Sequence, residues 1–206
     1  MHVPEKWQLE KQADIFAFIE KHSFATIVSP SLQSTHVPLM LDLENHCLIG
    51  HFARINPHWR ELSEDISQQH LVIFHGPHGY ISPTWYNNKP AVPTWNYAAI
   101  HIKGCAEILT ADATTQALEL LMQKFEPELL VDRDVVSAEY QEKLSRGIVG
   151  FKISIEVIEA KAKLGQHRSI EDQQGVTAAL SKSPSAEHQA LVNYMQELKL
   201  GIGNKV

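Results

Sequence analysis

Short apolar runs broken by proline, glycine and asparagine recur along the chain and limit the folds that it can adopt. The runs are rich in β-branched and aromatic residues, which favour strands. They lie at 24–29, 36–42, 47–53, 71–76, 93–109 and 148–161. Because many of them follow one another at hairpin distance, they favour an antiparallel sheet over a βαβ fold. The sequence therefore predicts a mainly β protein, a small antiparallel barrel with peripheral helices.

The run at 148–161 has the clearest alternation. Ile153, Ile155 and Val157 fall on one face of an extended chain, and polar residues alternate with them on the other. This pattern predicts one long, half-buried strand. Helices are predicted at 8–22, 112–125 and 184–201, with a short helix beginning at Asn56-Pro57.

Bulk features exclude several classes of protein. No run approaches the roughly 18 apolar residues needed to cross a bilayer, and the start MHVPEKWQLEK lacks the pattern of a signal peptide. We therefore expect no membrane association. Cys47 and Cys105 form no CxxC pair, which favours reduced thiols in a cytoplasmic protein. The net charge of −6 argues against the broad phosphate-binding surface of a nonspecific DNA binder.

The segment GHFARINPHWREL, residues 50–62, predicts an anion site. A strand ends near Arg54 and a helix opens at Asn56-Pro57, so free N–H groups and a partial positive charge face any phosphate bound there. Arg54 and Arg60 can add charge-assisted hydrogen bonds. The alternative is a capped helix whose arginines pair with glutamates on a wet surface. The candidate residues are His51, Arg54, Asn56, Pro57 and Trp59.

Two Pro-Thr-Trp triplets follow, at 83–85 and 93–95. A stiff residue, a hydroxyl and a large flat ring can together bury a planar heteroaromatic ligand and bond its edge. The alternative is a core or subunit interface in which the tryptophans fill volume. The candidate residues are Ser82, Trp85, Thr94, Trp95 and Asn96.

The segment KAKLGQHRS, residues 161–169, places several cations after the strand run at 148–161. It predicts either a second anion contact or a solvated strand end. The candidate residues are Lys163, Gln166 and Arg168.

The 12 histidines predict no metal site, because their spacing matches no zinc pattern and no HExxH occurs. An axial haem ligand remains an open alternative, since it needs only one histidine. No GxSxG motif is present and neither cysteine has the local signature of a nucleophile, so no catalytic residue is assigned.

The stretches GHFARINPHW, FHGPHGYISPTWY, KPAVPTWNYAAIHIKG and IVGFKISIEVIEAKAKLGQHRS resemble the PaiB-type FMN-binding negative transcriptional regulators, as does the start MHVPEKW. That family belongs to the FMN-binding split-barrel group, with pyridoxamine-phosphate oxidases and flavin reductases. The resemblance implies a six-stranded antiparallel Greek-key split barrel over 1–165. The chain length and the capped helix at 184–201 predict a C-terminal helical appendage over 166–206, packed on the barrel or on the dimer partner. FMN is the implied cofactor, bound where the subunits of a homodimer meet.

The resemblance places the FMN phosphate at Arg54 and Asn56-Pro57. It places Thr94, Trp95 and Asn96 beside the flavin ring or its ribityl chain. Relatives more often carry KLSQN where this chain has KLGQH, so Gly165 and His167 depart from the family pattern.

Three functions are compatible with these residues. The first is a regulatory FMN protein; the family's name implies DNA binding, although neither the charge nor a helix-turn-helix motif supports it. The second is a flavin-dependent oxidoreductase, with His75 or His101 as a proton donor. The third is a haem-binding protein on the same barrel.

Overall fold

The computed structural model describes residues 1–131, 135 and 137–204 of the protein, and its sheet contains eight strands. The strands are β1 (Phe24–Val28), β2 (Ser34–Pro38), β3 (Met40–Asp42), β4 (Cys47–Ala53), β5 (Gln69–Ile81), β6 (Thr94–Ile108), β7 (Ile148–Ser154) and β8 (Val157–Lys163). The strand order is β2-β1-β5-β6-β7-β4-β3, and β8 pairs with β6. The pairs β1–β2, β1–β5, β3–β4, β4–β7 and β6–β7 are all antiparallel, as predicted.

Helices flank the strands in sequence. They are α1 (Gln12–Lys21), α2 (His58–Glu64), α3 (Ala111–Phe125), α4 (Ala138–Ser145), α5 (Ile170–Lys182) and α6 (Ala186–Leu198). Three short 3-10 turns lie at Glu5–Trp7, Pro83–Trp85 and Pro127–Leu130. Among the described residues, no helix combines the length and the apolar character needed to cross a bilayer.

Two runs that the sequence presents as single strands are interrupted, which accounts for eight strands where the resemblance implies six. The first break falls at Leu39, whose amide donates to Ser23 O (2.8 Å). The second falls at 155–156, where Ile155 N donates to His46 O (2.9 Å). Val157 is consequently 41% exposed, so the predicted alternation through this position is wrong. In both breaks a non-local hydrogen bond overrides the local pattern.

The chain divides into two compact units. The internal unit contains residues 19–74 and 101–158, and the terminal unit contains residues 1–18, 75–100 and 159–206. The strands β5 and β6 continue from one unit into the other along the chain. The predicted division at residue 165 stays a prediction.

The core of the internal unit is built on aromatic side chains from β4, β5 and β7. Phe52 packs against Phe151 with ring centroids 4.7 Å apart, and both rings are fully buried. In the register of β4 and β7, His51 lies opposite Gly150. Helix α3 covers β7, because a Cβ on Gly150 would come within 2.4 Å of Thr114 Oγ1.

Helices α5 and α6 belong to the terminal unit. Ser169 and Ser185 cap them by accepting the N–H groups of Asp172 (3.3 Å) and His188 (3.5 Å). Their apolar faces contribute Leu180, Leu191 and Met195 to the core of the unit. Helix α5 also lies close to the 3-10 turn Pro83–Trp85, since a Cβ on Gly175 would come within 2.2 Å of Trp85 O.

Candidate functional site

Arg54 lies in the loop between β4 and α2, and the backbone holds its guanidinium in place. Its Nε donates to Arg146 O (2.9 Å) and its Nη2 donates to Ile148 O (2.8 Å). Trp59 Nε1 in turn donates to Arg54 O (3.0 Å). Arginine has five N–H donors, so this anchoring leaves others available to a ligand. Anchoring also reduces the conformational entropy that Arg54 would lose on binding.

Arg54 and Trp59 line one cavity of the internal unit, with a volume of about 430 Å³. Arg146 also lines it, and its guanidinium pairs with Glu142 (3.1 Å). Apolar surface comes from the end of β6 and the start of β7, at Ile108 and Val149. The volume is typical of a small-molecule site, in which a few polar groups orient a largely apolar ligand.

Helix α3 begins at the wall of this cavity, where Ala111 and Thr114 line it. Thr110 caps the helix, since its Oγ1 accepts the Ala113 N–H (3.2 Å) and its carbonyl accepts the Thr114 N–H (2.9 Å). The first helical amides precede any intrahelical acceptor, and the helix dipole makes this end positive. Thr110 already bonds the amides of Ala113 and Thr114, so those of Ala111 and Asp112 are the first-turn donors for an oxyanion. The neighbouring apolar wall suits a planar ring. The residues present fit a flavin phosphate.

Asn56 and Pro57 cap the start of helix α2 and do not line the cavity. The helix begins at His58 with Pro57 as its N-cap residue, so the predicted Asn56 cap is displaced by one position. Asn56 Oδ1 still accepts the His58 N–H (3.1 Å), and its Nδ2 donates to Thr35 Oγ1 (3.2 Å).

A buried polar network that sequence analysis missed lies beneath this helix start. His58 is fully buried, with Nδ1 2.7 Å from Thr35 Oγ1 and Nε2 2.5 Å from Ser29 Oγ. Ser29 Oγ also lies 3.3 Å from His70 Nδ1. Burial is the main cause that lowers the pKa of both histidines. The lowered pKa values favour the neutral imidazoles, and through Thr35 and Asn56 the network anchors the loop that carries Arg54. The only local signal was the cluster of histidines itself.

His51 is half-buried on β4, and burial lowers its pKa. Its side chain does not line the cavity that the described residues form around Arg54. Of the five residues predicted in this segment, the structure thus brings Arg54 and Trp59 to one cavity.

In the terminal unit, Ser82 and Trp85 have structural contacts. Ser82 Oγ accepts the Thr84 N–H (3.2 Å) and caps the 3-10 turn. The Trp85 ring meets the His188 ring edge-on, with centroids 5.9 Å apart. This tryptophan therefore joins helix α6 to the turn.

Thr94 and Trp95 lie next to Lys163, a predicted site residue from a distant segment. Lys163 Nζ donates to Thr94 Oγ1 (2.7 Å) and to Trp95 O (2.9 Å). The Trp95 ring is 52% exposed and lies 6.2 Å from the rings of His78 and Tyr80. An exposed aromatic surface of this kind suits a partner or a planar ligand.

Asn96 and Gln166 both lie close to the departure at Gly165. Asn96 is buried, and a Cβ on Gly165 would lie 3.5 Å from its Nδ2. Gly165 has φ +82°, a conformation that favours glycine. Gln166 closes the turn, with Oε1 accepting the Leu164 N–H (2.9 Å) and Nε2 donating to Ala162 O (2.7 Å). The positive φ of this turn therefore explains the glycine at position 165 without reference to a ligand.

Arg168 lies over the Tyr86 ring, with Cζ 4.6 Å from the centroid. Its Nε is buried and has no hydrogen-bond partner among the described residues. In the described part of the chain, no three His, Cys, Asp or Glu side chains come together as a metal site.

The profile of a family described as "Putative FMN-binding domain" matches residues 1–157. The chain belongs to this family. It is also 34% identical to the protease synthase and sporulation protein PAI 2 of Bacillus subtilis, over 96% of this chain and 97% of that protein. The predicted family resemblance is confirmed.

Solved structures show the fold. The flavocytochrome Anf3 of Azotobacter vinelandii superposes with a TM-score of 0.61 at 15% identity, over 80% of this chain and 73% of that one. An FAD and haem binding protein of Mycobacterium smegmatis gives 0.58 at 15% identity, over 77% and 74%. The predicted fold class, a split barrel that is mainly β with peripheral helices, is confirmed.

Proposed function

We propose that this protein binds FMN and acts as a cytoplasmic, homodimeric flavoprotein with a regulatory output. Membership of an FMN-binding domain family supports the flavin. The relative named for protease synthesis and sporulation supports a regulatory role. DNA binding stays a prediction of the resemblance.

The cavity beside Arg54 carries the proposal. Arg54 and Arg146 would hold the FMN phosphate, together with the first amides of helix α3. Trp59, Ile108 and Val149 would contact the flavin ring. FMN, when bound, supplies redox chemistry, and the protein's part is to hold and orient it.

The predicted contacts in the terminal unit, from Ser82 to Arg168, stay predictions. So does the homodimer with flavin where its subunits meet. The exposed Trp95 surface is consistent with a subunit interface.

The first test is the visible absorbance of purified protein, before and after addition of FMN and removal of the excess by gel filtration. We expect flavin bands that elute with the protein at the volume of a dimer. Protein that is colourless after incubation with saturating FMN and removal of the excess contradicts the proposal.

Two further assays separate regulation from the other predicted functions. Rapid turnover with reduced nicotinamide would assign an oxidoreductase. A haem band that disappears on replacing one histidine with alanine would assign a haem protein. We expect neither rapid turnover with reduced nicotinamide nor a haem band that depends on one histidine.

A further inference from the structure

Three lysine side chains of the terminal unit converge on the ring of Trp7. The Nζ atoms of Lys6, Lys161 and Lys163 lie 4.8, 5.3 and 5.5 Å from the ring centroid. His167 meets the ring edge-on, with centroids 5.9 Å apart. We call these five residues the Trp7 cluster. It concentrates positive charge within a protein whose net charge is −6.

Lys161 is the member whose burial most needs a counter-charge. It is 8% exposed, donates to His2 O (3.2 Å) and lies over the Tyr97 ring at 5.2 Å. Within the described part of the chain, no carboxylate lies at ion-pair distance from its ammonium group. Aromatic faces attract a cation, but by less than the loss of its hydration costs. The cluster is therefore short of negative charge.

The neighbours of the other members are also cationic. Burial is the main cause that lowers the pKa of Lys163; Tyr97 raises this pKa, and the cations Lys161 and Arg168 lower it further. Burial likewise lowers the pKa of His167, and three neighbouring cations add to the effect. Like charges held this closely repel one another, and a bound anion would relieve that repulsion.

Trp7 supplies an independent sign of a missing ligand. Its Nε1 is buried, and the described residues offer it no hydrogen-bond acceptor. A buried N–H group without an acceptor is uncommon in folded proteins. An oxygen atom of a ligand would satisfy it.

We propose that the Trp7 cluster binds the phosphate or diphosphate group of a small-molecule ligand. Ammonium groups act as compact charges that suit phosphate oxygens. A multiply charged phosphate also balances several cations better than a single carboxylate does. The residues lie within the terminal unit, so the site does not depend on the proposed flavin cavity.

The test uses the flavin-free, full-length protein and sodium pyrophosphate as the probe. Calorimetry gives the affinity, and the indole N–H resonance of Trp7, assigned with Trp7→Phe, reports the site. We expect this resonance to shift on binding. Lys161→Met should weaken binding by about tenfold or more, the scale of one charge-assisted hydrogen bond. Lys182→Met removes one charge from the exposed end of α5 and should leave the affinity unchanged.

Several results would overturn the site. Among them are an unshifted Trp7 resonance at millimolar pyrophosphate, or equal affinity in wild type and Lys161→Met. If FMN displaces pyrophosphate, the Trp7 cluster is part of the flavin site, and the proposal of a separate ligand is wrong. Lys6→Gln, at an exposed position, repeats the test if Lys161→Met does not fold. Pyrophosphate binding without any FMN binding would overturn the flavin proposal alone.

Discussion

The internal and terminal units hold their positive charges in opposite ways. Arg54 is exposed, and two of its N–H groups bond the carbonyl oxygens of Arg146 and Ile148. Lys161 is 8% exposed and has one carbonyl oxygen and two aromatic rings around it. Water solvates the first cation, whereas the second is desolvated and has no carboxylate at ion-pair distance among the described residues. We therefore expect Lys161, unlike Arg54, to reduce the stability of the unliganded fold.

The contrast also separates the ligands that the two sites suit. The cavity beside Arg54 offers about 430 Å³ and an apolar wall, which a ring with a phosphate can fill. The Trp7 cluster offers converging ammonium groups on a single ring, which suit the anionic group itself. Residues that weaken the unliganded fold are often kept for function.

The largest expected effect is a difference in sign between two matched substitutions. Lys161→Met removes a buried cation and should raise the free energy of unfolding by about 1–3 kcal/mol without ligand. Arg54→Met loses two hydrogen bonds and should lower it by about 1 kcal/mol. Urea denaturation of both variants checks this. Destabilisation by Lys161→Met would remove the contrast between the units.

A second expectation concerns the flavin ring. Trp59→Ala should weaken FMN and riboflavin binding alike, by about 1–2 kcal/mol, because the ring contact is shared by both ligands. Titrations followed by flavin fluorescence measure it, with Trp95→Ala as the matched variant in the terminal unit. Loss in Trp95→Ala alone would place the ring in the terminal unit instead.

A smaller effect should appear in the pH dependence of stability. Burial lowers the pKa of His58 and His70 below the ordinary value of 6.5. The unfolded chain therefore binds more protons as the pH falls below 6.5, so the free energy of unfolding should fall with it. His58→Gln should flatten this slope between about pH 7.5 and pH 5. A slope identical to wild type would show that the internal network does not titrate.

The smallest effect is expected at Arg146. Its side chain is 77% exposed and pairs at 3.1 Å with Glu142, which lies four residues earlier in helix α4. Arg146→Ala should change the free energy of unfolding by less than about 0.5 kcal/mol, yet weaken FMN binding measurably. Thermal denaturation beside an FMN titration tests both statements. A large loss of stability would mean that Arg146 supports the fold.

Much of the fold followed from local pattern. Strand β4 has the predicted bounds, and β6 is within one residue of them at each end. The predicted strand at 148–161 breaks because Ile155 and Glu156 donate to His46 O and Lys103 O, which no local pattern encodes.

The candidate site was predictable where one segment carried it. Arg54 and Trp59 flank a recognisable helix start, and both line the cavity. Arg146 was missed because it lies 92 residues from Arg54. Trp7 was missed because its cations include Lys161 and Lys163, from the far end of the chain. Contacts between distant segments have no signature in either segment alone.

Arg54 is proposed to hold the FMN phosphate, and the ratio of FMN to riboflavin affinity is the sharpest test of that role. The ligands share the ring and differ in the phosphate. We predict that wild type prefers FMN and that Arg54→Ala weakens FMN binding by about 1.5–3 kcal/mol while sparing riboflavin. Arg60→Ala, which removes the same charge from helix α2, should keep the preference. An unchanged preference for FMN in Arg54→Ala would contradict the claim.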